Sequence, residues 1–138
     1  MTRPRFHLAF PVHDLQAARA FYGGVLGCPE GRSASDWVDF DLRGHQIVAH
    51  LSPVQSASTT NTVDGEAVPV RHFGLILEPG DWRDLASRLE AARVAFLVPP
   101  QVRFKGEAGE QSTMFLLDPS GNALEFKAFA DDGQVFVK

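Results

Sequence analysis

Four side chains in this sequence have the chemical type and the strand position to meet at a cation: His7, His72, Glu125 and His50. Side chains alternate between the two faces of a strand. In the run beginning Phe6-His7-Leu8-Ala9-Phe10, the residues Phe6, Leu8, Phe10 and Val12 share one face, and His7 points the other way with Ala9. From His72 onward the apolar set is Phe73, Leu75 and Leu77, which leaves His72, Gly74 and Ile76 opposite. Near the end, Leu124 and Phe126 pair up against Ala123, Glu125 and Lys127. In Gln46 to Leu51, the residues Ile47, Ala49 and Leu51 oppose Gln46, Val48 and His50. Two imidazoles and one carboxylate with vacant positions make the facial triad of Fe(II) oxygenases, and a fourth ligand would suit Zn(II), Ni(II), Co(II) or Mn(II). A histidine on an open strand face is usually just solvated, so the residues alone do not decide for a metal.

The elements that must position these groups come in a repeated order. A first strand is followed by Asp14, which can cap a helix from about Leu15 to Leu26, with Leu15, Ala18, Tyr22 and Val25 as its apolar stripe and Gly27 as its stop. Strands at Trp37 to Leu42 and Gln46 to Leu51 follow, joined by a turn at Arg43-Gly44. The second half repeats this. A strand runs from His72 to Leu77. Pro79-Gly80-Asp81 starts a helix with Trp82, Leu85, Leu89 and Ala92 on one face. Strands follow at Phe96 to Val98, Met114 to Leu117 and Asn122 to Ala128, with a turn at Asp118-Pro119-Ser120-Gly121. His7 and His72 are closer in sequence than Gly44 and Gly121, and the extra length fits an insertion between Pro99 and Gln111.

This predicts an α+β fold of two βαβββ modules forming one curved, cup-shaped mixed sheet with the helices outside. Module one covers about 5–51 and module two about 70–129. Ser52 to Pro69, rich in Ser, Thr, Asn, Gly and Pro, reads as a linker or mobile loop, and 130–138 is a tail whose Val135-Phe136-Val137 can dock on the body. Each half, at about 60 residues, is marginal as a separate core, so residues 1–138 are expected to be one domain.

Composition narrows the function classes. A hydrophobic fraction of 44% is that of a globular chain. The single cysteine, Cys28, excludes an intrachain disulfide and reads as a small buried residue. A net charge of −4 without a basic stripe argues against nucleic acid. The basic start Met1-Thr2-Arg3-Pro4-Arg5 is followed by an apolar stretch broken by His7, Pro11 and His13, which supports neither a secretory signal nor a membrane span; a cytoplasmic protein is expected. His13 and His45 lie at a strand end and in a turn, away from the others. No P-loop, dinucleotide fingerprint or CxxC pair is present.

The pattern Phe6-His7-Leu8-Ala9-Phe10-Pro11-Val12-His13-Asp14-Leu15, with Ala20-Phe21-Tyr22 and Val25-Leu26-Gly27, resembles the opening of a vicinal oxygen chelate protein. Asp118-Pro119-Ser120-Gly121-Asn122-Ala123-Leu124-Glu125-Phe126 resembles the end of one, and the likeness extends over about residues 5 to 129. The family includes glyoxalase I, extradiol dioxygenases, fosfomycin-modifying enzymes and bleomycin-binding proteins. The resemblance implies that His7, His72 and Glu125 hold a divalent metal, Fe(II) in the favoured reading and Zn, Ni, Mn or Co in the others. Glyoxalase I would add an acid from the last strand of module one, where aligning Gly44 with Gly121 puts Val48 opposite Glu125. His50, on the same face, is then a fourth ligand, an acid/base group, or neither. Extradiol enzymes carry a tyrosine where this sequence has Phe115. Arg103 and Lys105 offer cations to an anionic substrate, or simply a solvated loop.

The first expectation is a metal-dependent, extradiol-dioxygenase-like enzyme that binds a small substrate through vicinal oxygens. The alternatives are a glyoxalase-I-like isomerase or lyase with a non-redox metal, or a metal-free binding protein of the bleomycin-resistance type. A homodimer is expected, with the metal site formed either within one chain or from modules of two.

Overall fold

The computed structural model describes residues 3–53 and 59–138. Met1 and Thr2 of the basic start, and 54–58 of the segment read as a linker, lie outside the described residues. The chain divides into two compact units. Unit one is Met1–Ser56 with Asp118–Asn122, and unit two is Ala57–Leu117 with Ala123–Lys138.

Unit one opens with β1 (His7–Val12). The carboxylate of Asp14 then accepts hydrogen bonds from the amides of Gln16 and Ala17, at 2.8 and 3.1 Å, and so satisfies two of the free donors at the start of α1 (Leu15–Ala18). This helix runs on as a wider π-helical segment (Arg19–Val25), in which the amide of Leu26 reaches back five residues to the carbonyl of Phe21. Gly27, at φ +74°, ends it. The strands β2 (Glu30–Ala34), β3 (Trp37–Leu42) and β4 (His45–Leu51) follow, and the sheet order is β1-β4-β3-β2 with β1 parallel to β4. β2 escaped the sequence reading because all five of its residues are exposed and none marks an apolar face.

The core of unit one gathers around Tyr22. Its ring lies 5.2 Å from that of Phe10, 4.9 Å from Phe21 and 5.4 Å from Phe40, and it is fully buried. A buried phenol needs a partner. The hydroxyl donates to Asp118 Oδ2 at 2.7 Å. Burial first, and the Asp118 carboxylate second, push the Tyr22 phenol well above its usual range, so it stays a donor. Asp118 also accepts from the amides of Ser120 and Asn122, and the Asn122 side chain ties it to the carbonyl of Pro11.

Unit two begins with a two-stranded hairpin, β5 (Thr59–Val63) and β6 (Glu66–Val70), within the segment expected to be a linker. Its β-branched run and its Asp64-Gly65 turn, both residues at positive φ, are a strong hairpin signal that the polar composition obscured. Then come β7 (His72–Ile76), α2 (Pro79–Ala91), β8 (Phe96–Arg103), β9 (Gln111–Leu117) and β10 (Ala123–Phe129). The sheet order is β7-β10-β9-β8 with β7 parallel to β10, the same plan as in unit one. β8 continues to Arg103, further than the short strand expected there, so the inserted loop is confined to 104–110. α2 buries Trp82, Leu85, Ala86 and Leu89, and the Trp82 indole donates to the carbonyl of Phe126 at 2.8 Å. The tail does not dock through Phe136, which is 92% exposed. No helix among the described residues is long and apolar enough to cross a membrane.

Candidate functional site

The parallel pairing of β7 with β10 sets His72 beside Ala123 and Gly74 beside Glu125. Along this ladder His72 Nε2 faces Glu125 Oε1 at 3.3 Å. The other ring nitrogen, Nδ1, lies 2.7 Å from the carbonyl oxygen of Pro69. A carbonyl only accepts, so Nδ1 carries a proton and donates it there. Nε2 is therefore the atom turned to Glu125. The remaining carboxylate oxygen, Oε2, accepts from the Thr113 hydroxyl at 2.5 Å, and Arg103 Nη1 stands 3.9 Å away.

The hydrogen bond to Glu125 raises His72 above its ordinary value of 6.5; burial opposes this, and the Pro69 carbonyl adds to it. For Glu125, burial alone would raise the carboxyl, but the hydrogen bonds from His72 and Thr113, with Lys127 nearby, prevail and hold it below 4.5. The carboxylate is thus kept ionised although the residue is only 8% exposed.

Close packing fixes this arrangement. A Cβ on Gly74 would lie 1.6 Å from the carbonyl oxygen of Glu125, so only glycine allows the two strands to approach here. A glycine inside a strand was the readable sign of such an approach. Thr113 and Pro69, which hold Glu125 and His72, carried no comparable sign.

In unit one, His7 pairs with Gln46 in the parallel ladder of β1 and β4. Its Nδ1 lies 2.8 Å from Gln46 Oε1, and the Gln46 amide nitrogen donates to Asp39 Oδ2 at 3.1 Å. The chain Asp39–Gln46–His7 orients this ring as Pro69 orients His72, with Nδ1 as donor and Nε2 unengaged in the same bond. The sequence put Gln46 on the face of His7 but gave it no role. The register also bears on the missing acid: Ala9 pairs with Val48 as Gly74 pairs with Glu125, so Val48 occupies the position of Glu125.

His50 is exposed on β4, in register with Pro11 and Trp37. His45 accepts the Phe6 amide at Nδ1, at 3.0 Å, which ties the start of β4 to the start of β1, and His13 engages the Ser120 hydroxyl. Arg103 is buried and Lys105 is exposed.

The donor chemistry of unit two suits a divalent ion. Two ligands each about 2.1 Å from one ion stand roughly 3.0 to 3.4 Å apart, and an imidazole oriented through its far nitrogen is the usual form of such a ligand. His72 Nε2 and Glu125 Oε1 meet both conditions. Within unit two the structure brings His72 and Glu125 together, and among the described residues no group of three or more His, Cys, Asp and Glu side chains that could hold a metal ion is found.

The sequence matches the model of the Glyoxalase/Bleomycin resistance protein/Dioxygenase superfamily over residues 6–126, and the chain belongs to that superfamily. Among solved structures it is similar to a glyoxalase/bleomycin resistance protein/dioxygenase from Alicyclobacillus acidocaldarius, with 33% identity, a TM-score of 0.84 and 97% of each chain covered. It shares its fold with the fosfomycin resistance protein FosX from Listeria monocytogenes, at 20% identity and a TM-score of 0.70 over 93% of this chain and 94% of that one. A glyoxalase/dioxygenase from Nostoc punctiforme has the same fold, at 20% identity and a TM-score of 0.68 over 94% and 92%. No curated protein matches the sequence.

Proposed function

We propose that this protein is a metal-dependent enzyme of the extradiol-dioxygenase type, with His7, His72 and Glu125 as the protein ligands of one divalent ion, Fe(II) in the favoured case. The observation that carries the reading is the pair of oriented imidazoles. His7 and His72 occupy equivalent strand positions, and each gives its Nδ1 proton to a fixed carbonyl oxygen. Val48 at the position of Glu125 favours three protein ligands over the four of glyoxalase I. The reading holds whether the three come from one chain or from two copies of it. An ion held there would take a small substrate by two neighbouring oxygens and lower their pKa. Thr113 and His72 keep the Glu125 carboxylate ionised and aimed. We assign His50, on β4, the acid/base role toward the substrate. Phe115, beside this ladder, has no hydroxyl to offer, so the proton traffic falls to His50. We further infer a homodimer acting in the cytoplasm; the exposed apolar side chains of unit two, Ile76, Leu97, Val102 and Leu117 among them, are consistent with association.

The test is elemental analysis of anaerobically purified protein beside the variants His7→Ala, His72→Ala and Glu125→Ala. The expected result is close to one iron per chain, lost in all three variants, with oxygen uptake on catechol-type substrates. Zinc or nickel with oxygen-independent turnover moves the reading to a glyoxalase-like isomerase. No metal after any reconstitution sinks it and leaves a binding protein.

A further inference from the structure

Arg103 closes β8 with a side chain only 4% exposed. Its Nη1 stands 3.9 Å from Glu125 Oε2, and its Cζ lies 5.5 Å from the centre of the Phe115 ring. Its Nε and Nη2 are buried and make no hydrogen bond among the described residues. In a guanidinium the Nε–H and Nη2–H bonds point the same way along one edge. That edge spans two oxygens of a carboxylate or of a phosphate-type group. The unmatched atoms are thus one complete recognition edge.

Buried donors of a charged group are rarely left unmatched, because the loss of hydration is not repaid. Glu125 does not account for this edge. Thr113 already holds Oε2 at 2.5 Å, and Arg103 approaches with one nitrogen at the limit of an ion pair. Packing does not account for it either, since an apolar side chain of similar volume would fill the space without burying a charge. A bound oxyanion would supply both missing acceptors and the missing negative charge.

We propose that the Nε/Nη2 edge of Arg103 is the seat of an oxyanion group on the substrate, a carboxylate or a phosphate-type group. The proposal rests on the metal-centre reading only in placing that group beside Glu125; capture of the anion does not require the ion. The edge is covered in the free protein. Phe115 belongs to a buried cluster with Val68 and Val98, with Val63 packed against it, so the β5–β6 hairpin overlies the ring that Arg103 sits on. Whatever covers the edge must move aside when the anion enters. Lys105, in the loop that follows, stays in solvent and carries no such edge.

The experiment is NMR of the arginine Nε–H groups in the full chain, titrated separately with malonate and inorganic phosphate, with affinities read by calorimetry. Arg103→Lys keeps the charge and removes the fork. Arg83→Ala, on the exposed side of α2, controls for net charge. The expected result is a saturable shift of the one Nε–H signal missing in Arg103→Lys. Affinity should fall about tenfold or more in Arg103→Lys and stay within about twofold in Arg83→Ala. Malonate alone identifies a carboxylate, and phosphate alone a tetrahedral group. An unmoved signal with both anions, or equal affinity in Arg103→Lys, overturns the proposal. If Arg103→Lys does not fold, the Nε–H response of the unaltered protein decides. Metal content is read on the same samples, so anion binding without metal refutes the ligand triad alone, and metal without anion binding refutes the Arg103 seat alone.

Discussion

In the first sheet His7 stands beside Gln46, and in the second His72 stands beside Ala123. Two residues on, the first sheet pairs Ala9 with Val48 and the second pairs Gly74 with Glu125. Strand order and register are shared, so the contrast lies in the side chains. Unit one holds its histidine with an exposed amide chain and has an apolar residue where an acid could be. Unit two holds its histidine with a backbone carbonyl and has spent the position next to it on a buried carboxylate. That carboxylate needed the Thr113 hydroxyl, the His72 imidazole and a glycine opposite it. A duplicated frame keeps its hydrogen-bond register cheaply, while an ionised group inside it demands several supporting changes at once.

The sharpest way to break this contrast is Gly74→Ala. The added Cβ must part β7 from β10, and the expected loss is about 3 kcal/mol or more in urea denaturation, together with the ability to take up metal. Ala9→Gly at the matching position should cost no more than about 1 kcal/mol. Equal effects of the two would show that the units do not differ here. Thr113→Val comes next. It strips the Glu125 carboxylate of its closest donor, and a loss of about 2 kcal/mol is expected, read from the shift in denaturation midpoint.

The His72–Glu125 pair should show in the pH dependence of metal-free protein. The raised histidine contributes stability that is complete below 6.5 and lost as pH rises through its folded value. The lowered carboxyl contributes stability that is complete above 4.5 and lost as pH falls through its folded value. The stability difference between the natural protein and Glu125→Gln is therefore expected to be largest between these two values and to narrow on either side. A difference that grows above pH 8 would contradict the pairing. The smallest effect on folding belongs to Gln46→Ala, within about 0.5 kcal/mol because the pair is exposed. Its metal affinity should nonetheless fall about tenfold, because His7 loses the group that orients it.

Much of this frame was legible in the sequence because alternation and turn chemistry are local. Leu124 against Glu125, Asp14 before the helix and Gly44 and Gly121 in their turns each act through near neighbours. β2 was not legible, since an exposed edge strand leaves no apolar period. The β5–β6 hairpin was misread because its threonines look like a linker by composition, while their branching favours a strand. The site divides in the same way. His7, His72 and Glu125 could be placed on a common type of face from their own strands. Thr113 and the buried edge of Arg103 depend on how β8 and β9 align with β10, which no short window contains.

The segment Asp118–Asn122 is spelled between two strands of unit two, yet it completes unit one, where its carboxylate receives the Tyr22 hydroxyl. During synthesis, therefore, the first fifty residues leave the ribosome with their central tyrosine still lacking its acceptor. The half that is made first is finished almost last, and a chain cut short before Asp118 lacks an intact version of either half.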